Sequence, residues 1–178
     1  MPEPVVVAFT PSDLERHVEE LGGLLHACVH AGAGVSFILP FTTPEAEGFW
    51  TSKVLPQLRD GRGSLLVAKI DGRVAGCVQL DCDTPPNQRH RAEVRKLLVH
   101  PDLRRRGVAR RLMIALEELA RRQGRTLLTL DTRTGDKAEP LYSSLGYRTV
   151  GIIPGFARAT ADDRTEPTTV MYKELVGA

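Results

Sequence analysis

The run Arg104-Arg105-Arg106-Gly107-Val108-Ala109 has a composition suited to binding phosphate. It follows an apolar segment, residues 92–99, and leads into an amphipathic segment, residues 108–123, so the pattern predicts a strand, a loop and a helix N-terminus. Small residues at 107 and 109 let a ligand approach the backbone, and the N–H groups that begin a helix favour an anion. Arginines, including Arg110 one turn into the helix, add charge-assisted hydrogen bonds. The sequence therefore predicts a pyrophosphate site.

This loop matches neither of two common phosphate-binding motifs. No Gly-Lys-Ser/Thr follows it, which excludes a Walker A loop, and the first glycine of a dinucleotide fingerprint is absent. A basic helix N-terminus on the surface, with no ligand, would show the same pattern. The position of the loop between a strand and an amphipathic helix favours the ligand-binding interpretation.

Positive charge is concentrated near the same loop. The whole chain has a net charge of +2, yet residues 103–125 contain eight arginines and two acidic residues, a net charge of +6. Such a patch on a nearly neutral chain favours one anionic ligand over a broad nucleic-acid surface. The segment also lacks Phe, Tyr and Trp, which disfavours stacking on single strands. A nucleic-acid-binding module remains the alternative.

Three side chains are candidates for proton transfer. Tyr142 lies on a predicted short helix, residues 137–145, and a phenol there could donate a proton to a departing sulfur. Glu93 and Asp131 lie near predicted strand ends, where a carboxylate could accept a proton from an amine or hold a cationic substrate. A tyrosine packed between helix and sheet, with solvated carboxylates, is the structural alternative.

The histidines and cysteines give no indication of a metal site or a disulfide. His26 and His30 have helical spacing but no third ligand at motif spacing, so we expect packing or a pocket wall. Cys28, Cys77 and Cys82 contain no C-x-x-C and indicate free thiols in a reducing, cytoplasmic compartment. No apolar run reaches the length of a membrane span, and the N-terminus has no basic n-region, so we expect neither a membrane segment nor a signal peptide.

The order of the predicted strands and helices indicates one α/β domain over residues 1–178, which must position these residues. Asp71-Gly72 predicts a hairpin, and the strand–helix–strand unit at 92–131 predicts a parallel pair. Residues 154–166 are expected to be irregular. The predicted strands are 5–9, 64–70, 73–82, 92–99, 126–131, 147–153 and 168–175. The predicted helices are 11–30 with Thr10 as its cap, 44–60 with Thr43 as its cap and a kink at Pro56, 108–123 and 137–145.

Two motifs resemble those of the GNAT N-acetyltransferases. Residues 94–101, VRKLLVHP, followed by residues 103–112, LRRRGVARRL, look like motif A of that family. Residues 138–147, AEPLYSSLGY, look like its motif B helix, with Tyr142 in the expected place. Residues 29–37, 130–132 and 150–156 further resemble the tabtoxin-resistance acetyltransferase and its relatives. Ala109 stands where many members have Gly, an accepted variant.

The resemblance implies a mixed central sheet that is splayed between strands 92–99 and 126–131, with about four flanking helices. It implies acetyl-CoA as cosubstrate, its pantetheine arm held by the backbone of Leu97, Leu98 and Val99. The pyrophosphate would be held by Arg104, Arg105, Arg106, Gly107, Val108, Ala109 and Arg110.

The other half of the implied site would receive a primary amine of a small molecule, such as an antibiotic, a toxin or an amino-acid-like compound. That amine would lie near His30, Phe37, Asp131 and Thr132. Asp131 and then Glu93 are the candidate bases, and Tyr142 would protonate the departing CoA thiolate. An acyl-CoA sensor without catalysis remains a second alternative. We expect no nucleic-acid or membrane partner, and a monomer or homodimer.

Overall fold

A computed structural model describes residues 3–175, which form a seven-stranded mixed sheet. Its strands are β1 (Val5–Phe9), β2 (Gly63–Ile70), β3 (Arg73–Asp81), β4 (Arg91–Val99), β5 (Leu127–Arg133), β6 (Arg148–Arg158) and β7 (Thr165–Glu174). They lie side by side in the order β1-β2-β3-β4-β5-β7-β6. The predicted α/β class and its mixed sheet are confirmed.

Helices cover both faces of this sheet. They are α1 (Pro11–Arg16), α2 (Val18–His30), α3 (Thr43–Phe49), α4 (Leu55–Arg59), α5 (Val108–Arg122) and α6 (Glu139–Ser144). A π-helical turn, Trp50–Val54, joins α3 to α4 just before Pro56, where a kink was predicted. One buried cluster combines α1–α4 with one face of the sheet, and a second combines α5 and α6 with the other. None of the helices in residues 3–175 is long and apolar enough to cross a membrane.

The sheet opens between its two parallel strands. β4 and β5 are paired only at Arg91–Leu127, Ala92–Leu128 and Glu93–Thr129. Beyond these positions β4 continues to Val99 and β5 to Arg133 without pairing to each other. The splay expected at this place is therefore present, and we call the space between the diverging strands the fork.

A β-bulge lies in β4 where the fork opens. Cys77 of β3 pairs with Leu98, while Gln79 pairs with Arg95, so Lys96 and Leu97 together oppose one residue of β3. Lys96 has a φ of 49°, in the left-handed region that side chains other than glycine rarely adopt. The bulge changes which residues of β4 face each side of the sheet.

Local sequence signals account for several element boundaries. Thr10 caps α1 in a capping box with Asp13, and these short polar side chains satisfy N–H groups that the first helical turn leaves unpaired. Asp71 and Gly72, at φ of 51° and 78°, form the turn between β2 and β3, as expected for an Asp-Gly hairpin. Gly146 follows α6 at a φ of 87°.

The prediction of one helix over residues 11–30 is wrong. The helix is interrupted at His17, whose Nδ1 contacts the carbonyl oxygen of Asp13 at 2.9 Å and whose Nε2 accepts from Lys69 Nζ at 2.9 Å. Thr42, not Thr43, caps α3, in a capping box with Glu45. A cap needs extended backbone geometry, which the sequence left ambiguous between two adjacent threonines.

The prediction of an irregular segment over residues 154–166 is also wrong. β6 continues to Arg158 and β7 begins at Thr165, so most of the segment is strand. Pairing shifts between Ile153 and Ala157, and this irregularity accommodates Pro154, which has no N–H to donate. The pairing of β6 with β7 outweighed the local sequence signals for a turn in this segment.

Candidate active site

A glycine in β3 lets α5 pack closely on the sheet. A Cβ at Gly76 would lie 2.6 Å from the carbonyl oxygen of Leu98, 3.1 Å from Val108 and 3.3 Å from Leu112. Val108 and Leu112 belong to the buried stripe of α5. This close approach fixes the N-terminus of α5 beside the end of β4.

The loop that enters α5 presents backbone rather than side-chain donors. Arg105 and Gly107 adopt left-handed φ values of 63° and 76°, a conformation that turns successive N–H groups toward one concavity. Gly107 is the N-cap of the 15-residue helix and makes no side-chain capping bond. Residues 104–107 are exposed. The loop thus offers exposed backbone N–H groups at a helix N-terminus, an arrangement that favours an anion.

Several arginines of the basic patch are engaged within the protein. Arg104 donates to the carbonyl oxygen of Val99 at 3.4 Å, Arg110 to Ser144 Oγ at 2.7 Å, and Arg111 contacts Glu3 at 2.9 Å. These contacts connect the loop and α5 to neighbouring segments. The exposed Arg105 and Arg106 remain next to the concavity.

The C-terminal half of α5 contains a buried acid, Glu117. Its Oε2 accepts from Lys173 Nζ of β7 at 2.6 Å, while Arg121 lies 3.7 Å away. Arg121 follows Glu117 at helical spacing, but the closer partner, Lys173, lies 56 residues away in sequence.

Glu93 and Asp131 lie on opposite strands of the fork. Glu93 occupies the last position of β4 that pairs with β5, and its Oε1 is 3.5 Å from Arg95 Nε. Asp131 lies on β5 beyond the last residue that pairs with β4, and its Oδ2 accepts from Thr168 Oγ1 at 3.0 Å. Both carboxylates therefore border the opening, Asp131 on its exposed part.

Tyr142 is buried on α6, on the same face of the sheet as α5. Burial, followed by the nearby carboxylates of Asp136 and Asp131, raises the pKa of its phenol. A phenol is already protonated at neutral pH, as a proton donor must be, and the raised pKa makes this one a weaker acid. Its ring centroid lies 5.8 Å from that of Tyr147.

The loop after α2 forms one wall at the other face of the sheet. His30, predicted to contact substrate, places Nε2 2.9 Å from the carbonyl oxygen of Phe41 and stacks on His26 at 4.0 Å. Phe37 packs against Phe41 and Phe49, with centroids 4.6 and 5.3 Å apart. The contact of His30 suits a residue that positions the loop, while Phe37 forms part of its surface.

This loop is connected to the turn between β6 and β7. Leu39 N donates to the carbonyl oxygen of Thr160 at 2.8 Å, and Thr160 Oγ1 donates to that of Ala33 at 3.2 Å. Arg133 of β5 donates to the carbonyl oxygen of Gly32 at 3.0 Å. An open cavity of about 430 Å³ is lined by residues 36–41 and Glu45.

The remaining predicted residues lie along the two strands of the fork. Leu98 is buried against α1–α4, while Leu97 and Val99 pack toward the other cluster. The carbonyl oxygen of Thr132 accepts from Thr168 Oγ1 at 3.0 Å. Within residues 3–175, no group of three or more metal-ligating side chains is assembled.

One polar residue of the fork was missed by sequence reasoning. Lys96 Nζ lies 3.3 Å from Ser36 Oγ and 5.5 Å from the ring centroids of Phe37 and Phe49. Burial and then Arg95 lower its pKa to about 8, against the effect of nearby acidic groups. Nothing in the sequence signals this, because the bulge determines where Lys96 points.

Comparison with solved structures shows the same fold in acetyltransferases. A protein from Acinetobacter baylyi aligns with a TM-score of 0.80 at 16% identity, covering 100% of this chain and 96% of that chain. An N-acetyltransferase from Staphylococcus aureus aligns at 0.79 and 16%, covering 98% and 99%. A protein from Salmonella typhimurium, solved with its cofactor acetyl-CoA, aligns at 0.76 and 18%, covering 98% and 95%.

Sequence comparison identifies relatives over part of the chain. An uncharacterized N-acetyltransferase of Azospirillum brasilense is 34% identical over 114 residues, 63% of this chain and 66% of that protein. One from Methanocaldococcus jannaschii is 31% identical over 103 residues, 56% of this chain and 45% of that protein. The chain thus spans less than two thirds of either relative. The sequence model of the Acetyltransferase (GNAT) family matches residues 36–147, and the chain belongs to this family.

Proposed function

We propose that this protein transfers the acetyl group of acetyl-CoA to a primary amine of a small molecule. The observation that carries the proposal is the fork between β4 and β5 beside the concave loop at the N-terminus of α5. The fork exposes strand backbone and the loop exposes N–H groups, which suit a pantetheine arm and a pyrophosphate respectively. Family membership supports the same ligand.

The cofactor half of the site fits acetyl-CoA, which would supply a reactive acetyl thioester. The backbone of Leu97 to Val99 would bind the pantetheine as a strand partner. The N–H groups of residues 105–110 would bind the pyrophosphate, with the side chains of Arg105 and Arg106 at its edge. Arg104 and Arg110 would act mainly by holding the loop, because they already bond to Val99 and Ser144.

Proton transfer would use the two faces of the fork. A primary amine with a pKa near ~10 is mostly protonated at neutral pH, so a group must remove its proton before it can attack the thioester carbonyl. We assign this role to Asp131, with Glu93 as the second candidate. Tyr142 would donate its proton to the departing thiolate, since a phenol holds its proton at neutral pH.

The acceptor would enter beside Phe37 and Thr132, under the loop that His30 holds. The resemblance of residues 29–37, 130–132 and 150–156 to the tabtoxin-resistance branch supports this placement of a small substrate. It does not extend to the toxin itself, and a cytoplasmic location is proposed only from the free cysteines.

Calorimetry and thiol release test the proposal together. Acetyl-CoA at 100 times its Kd should stabilise the protein by about 2.7 kcal/mol, whereas a short DNA duplex should not. Release of CoA thiol should then depend on an added amine. The absence of stabilisation by acetyl-CoA would contradict the proposal, stabilisation by DNA alone would favour a nucleic-acid-binding module, and binding without turnover would favour an acyl-CoA sensor.

A further inference from the structure

Lys96 is an ammonium group in an environment that does not fully satisfy it. At the bulge the backbone of Lys96 is in a left-handed conformation. Its side chain runs toward Ser36 in the loop after α2, the wall proposed for the acceptor. Among residues 3–175, Lys96 Nζ has no carboxylate within 4.0 Å. Its polar side-chain contact is the hydroxyl of Ser36. An ammonium has three N–H donors, so at least two are available to a ligand.

The neighbouring charges point to the kind of ligand that these donors would bind. Arg95, the adjacent cation, is already paired with Asp81 at 2.8 Å and Glu93 at 3.5 Å. Lys96 is bordered instead by the rings of Phe37 and Phe49. A desolvated cation beside apolar rings gains most from an anion that arrives with the substrate.

We propose that Lys96 binds a carboxylate of the acceptor, so that the acceptor class is amines that also carry a carboxylate. This inference rests on the proposed acetyl transfer and refines it. Asp131, on the opposite strand of the fork, would take the acceptor's ammonium end while Lys96 takes its carboxylate end. One cation and one carboxylate on opposite strands match a zwitterion better than a simple alkylamine.

Matched acceptors test the inference in the full-length protein. The panel contains α-amino acids, β-alanine and γ-aminobutyrate, each compared with its carboxamide, and the measured quantity is kcat/KM for CoA thiol release. The wild-type protein should prefer at least one carboxylate over its carboxamide. Lys96→Met should reduce that preference about tenfold or more, and Lys96→Arg should retain most of it because the positive charge remains.

A control variant and a binding measurement separate the possible failures. Lys53→Met removes an exposed lysine of the π-helical turn and should leave the preference unchanged. If the carboxamides are acetylated but no carboxylate is, or if Lys96→Met keeps the wild-type preference, the inference is overturned while the proposed function stands. If acetyl-CoA does not bind the wild-type protein, the proposed function itself fails.

The pH dependence gives a readout that a purely structural role would not move. KM for the carboxylate acceptor should rise in wild type as Lys96 loses its proton above about pH 8, and this rise should be absent in Lys96→Arg. The titratable or charged groups around Lys96 are Arg95 and Glu93 of β4, Cys77 of β3 and Asp131 of β5, and all are unchanged in the arginine variant. Identical KM profiles for the two proteins would contradict the assignment.

Discussion

Three polar side chains carry the chemistry that we propose for the fork. Asp131 lies on β5, Lys96 on β4 and Tyr142 on α6. Asp131 influences the pKa of both other groups. The three residues come from separate segments, so their proximity is produced by the fold and not by a motif.

Replacement of Tyr142 by Phe removes the proposed proton donor with little change in volume. We expect kcat to fall by roughly 10²-fold while the Kd for acetyl-CoA stays within about twofold, because one proton transfer contributes about that much. Steady-state thiol release and calorimetry measure the two quantities. Tyr147→Phe is the matched control, a buried tyrosine whose ring lies 5.8 Å away, and it should retain kcat. Unchanged turnover in Tyr142→Phe would remove the residue from the mechanism.

Replacement of Asp131 by Asn tests the base. Asn keeps an oxygen that can accept from Thr168, so the strand pairing should survive. We expect kcat/KM to fall by roughly 10²–10³-fold at pH 7 and to recover partly above pH 9, where the amine loses its proton unaided. Asp60→Asn, at the exposed C-cap of α4, serves as the control. A pH-independent loss would instead indicate a role in binding the acceptor.

At the scale of single elements, the predictable parts were those encoded by neighbouring residues. The capping box at Thr10, the Asp-Gly hairpin and the amphipathic stripe of α5 each depend on residues within a few positions, and local chemistry determines them. The turn at residues 104–107 was predictable for the same reason, because its glycine and arginines adjoin the helix that they begin.

The parts that could not be predicted depend on register between distant residues. Lys96 points toward Phe37 because β4 has one residue more than β3 across the bulge. The buried pair of Glu117 and Lys173 and the continuation of β6 through Pro154 likewise require a partner strand. Side-chain spacing alone contains no information on such pairings.

Gly76 provides a test of how α5 is positioned. Gly76→Ala places a methyl group 2.6 Å from a backbone oxygen, so we expect a loss of about 1–3 kcal/mol in unfolding free energy and weaker acetyl-CoA binding, because the helix must shift. Urea unfolding and calorimetry measure both effects. Gly23→Ala, in α2 with no atom within 4 Å of the new Cβ, should instead stabilise the protein by about 0.5–1 kcal/mol. Equal effects of the two changes would contradict this account.

At the scale of the whole molecule, the two faces of the sheet have different origins. On the face of α5 and α6, the residues proposed to bind acetyl-CoA all come from the contiguous segment between β4 and α6. The wall proposed for the acceptor joins the loop after α2 to the turn before β7, as in the contact of Ala33 with Thr160 across 127 positions. We therefore expect that changes to this wall can be made without altering the loop at residues 104–107.

The lowered pKa of Lys96 should also appear in global stability. Its pKa is about 8 in the folded protein against 10.5 when unperturbed, so the unfolded chain binds more protons between these values. The unfolding free energy of wild type should therefore rise with pH across that window. Lys96→Met should be more stable than wild type by about 1–3 kcal/mol at pH 7, and the difference should shrink toward pH 10.5. Urea unfolding at both pH values measures it, and a pH-independent difference would contradict the shift.

In the fork, β4 and β5 each have one side that is not paired to another strand, as at the edge of a sheet. Edge strands carry unpaired N–H and C=O groups and can recruit another strand. Here β4 and β5 are joined at the pair Glu93–Thr129, so an invading strand would have to enter a narrowing gap. We expect the thinner pantetheine arm to fit along it. Amide exchange in residues 94–99 should slow when acetyl-CoA is added, while exchange in the paired strand Gly63–Ile70 should not change. Equal rates with and without acetyl-CoA would show that the ligand does not occupy this edge.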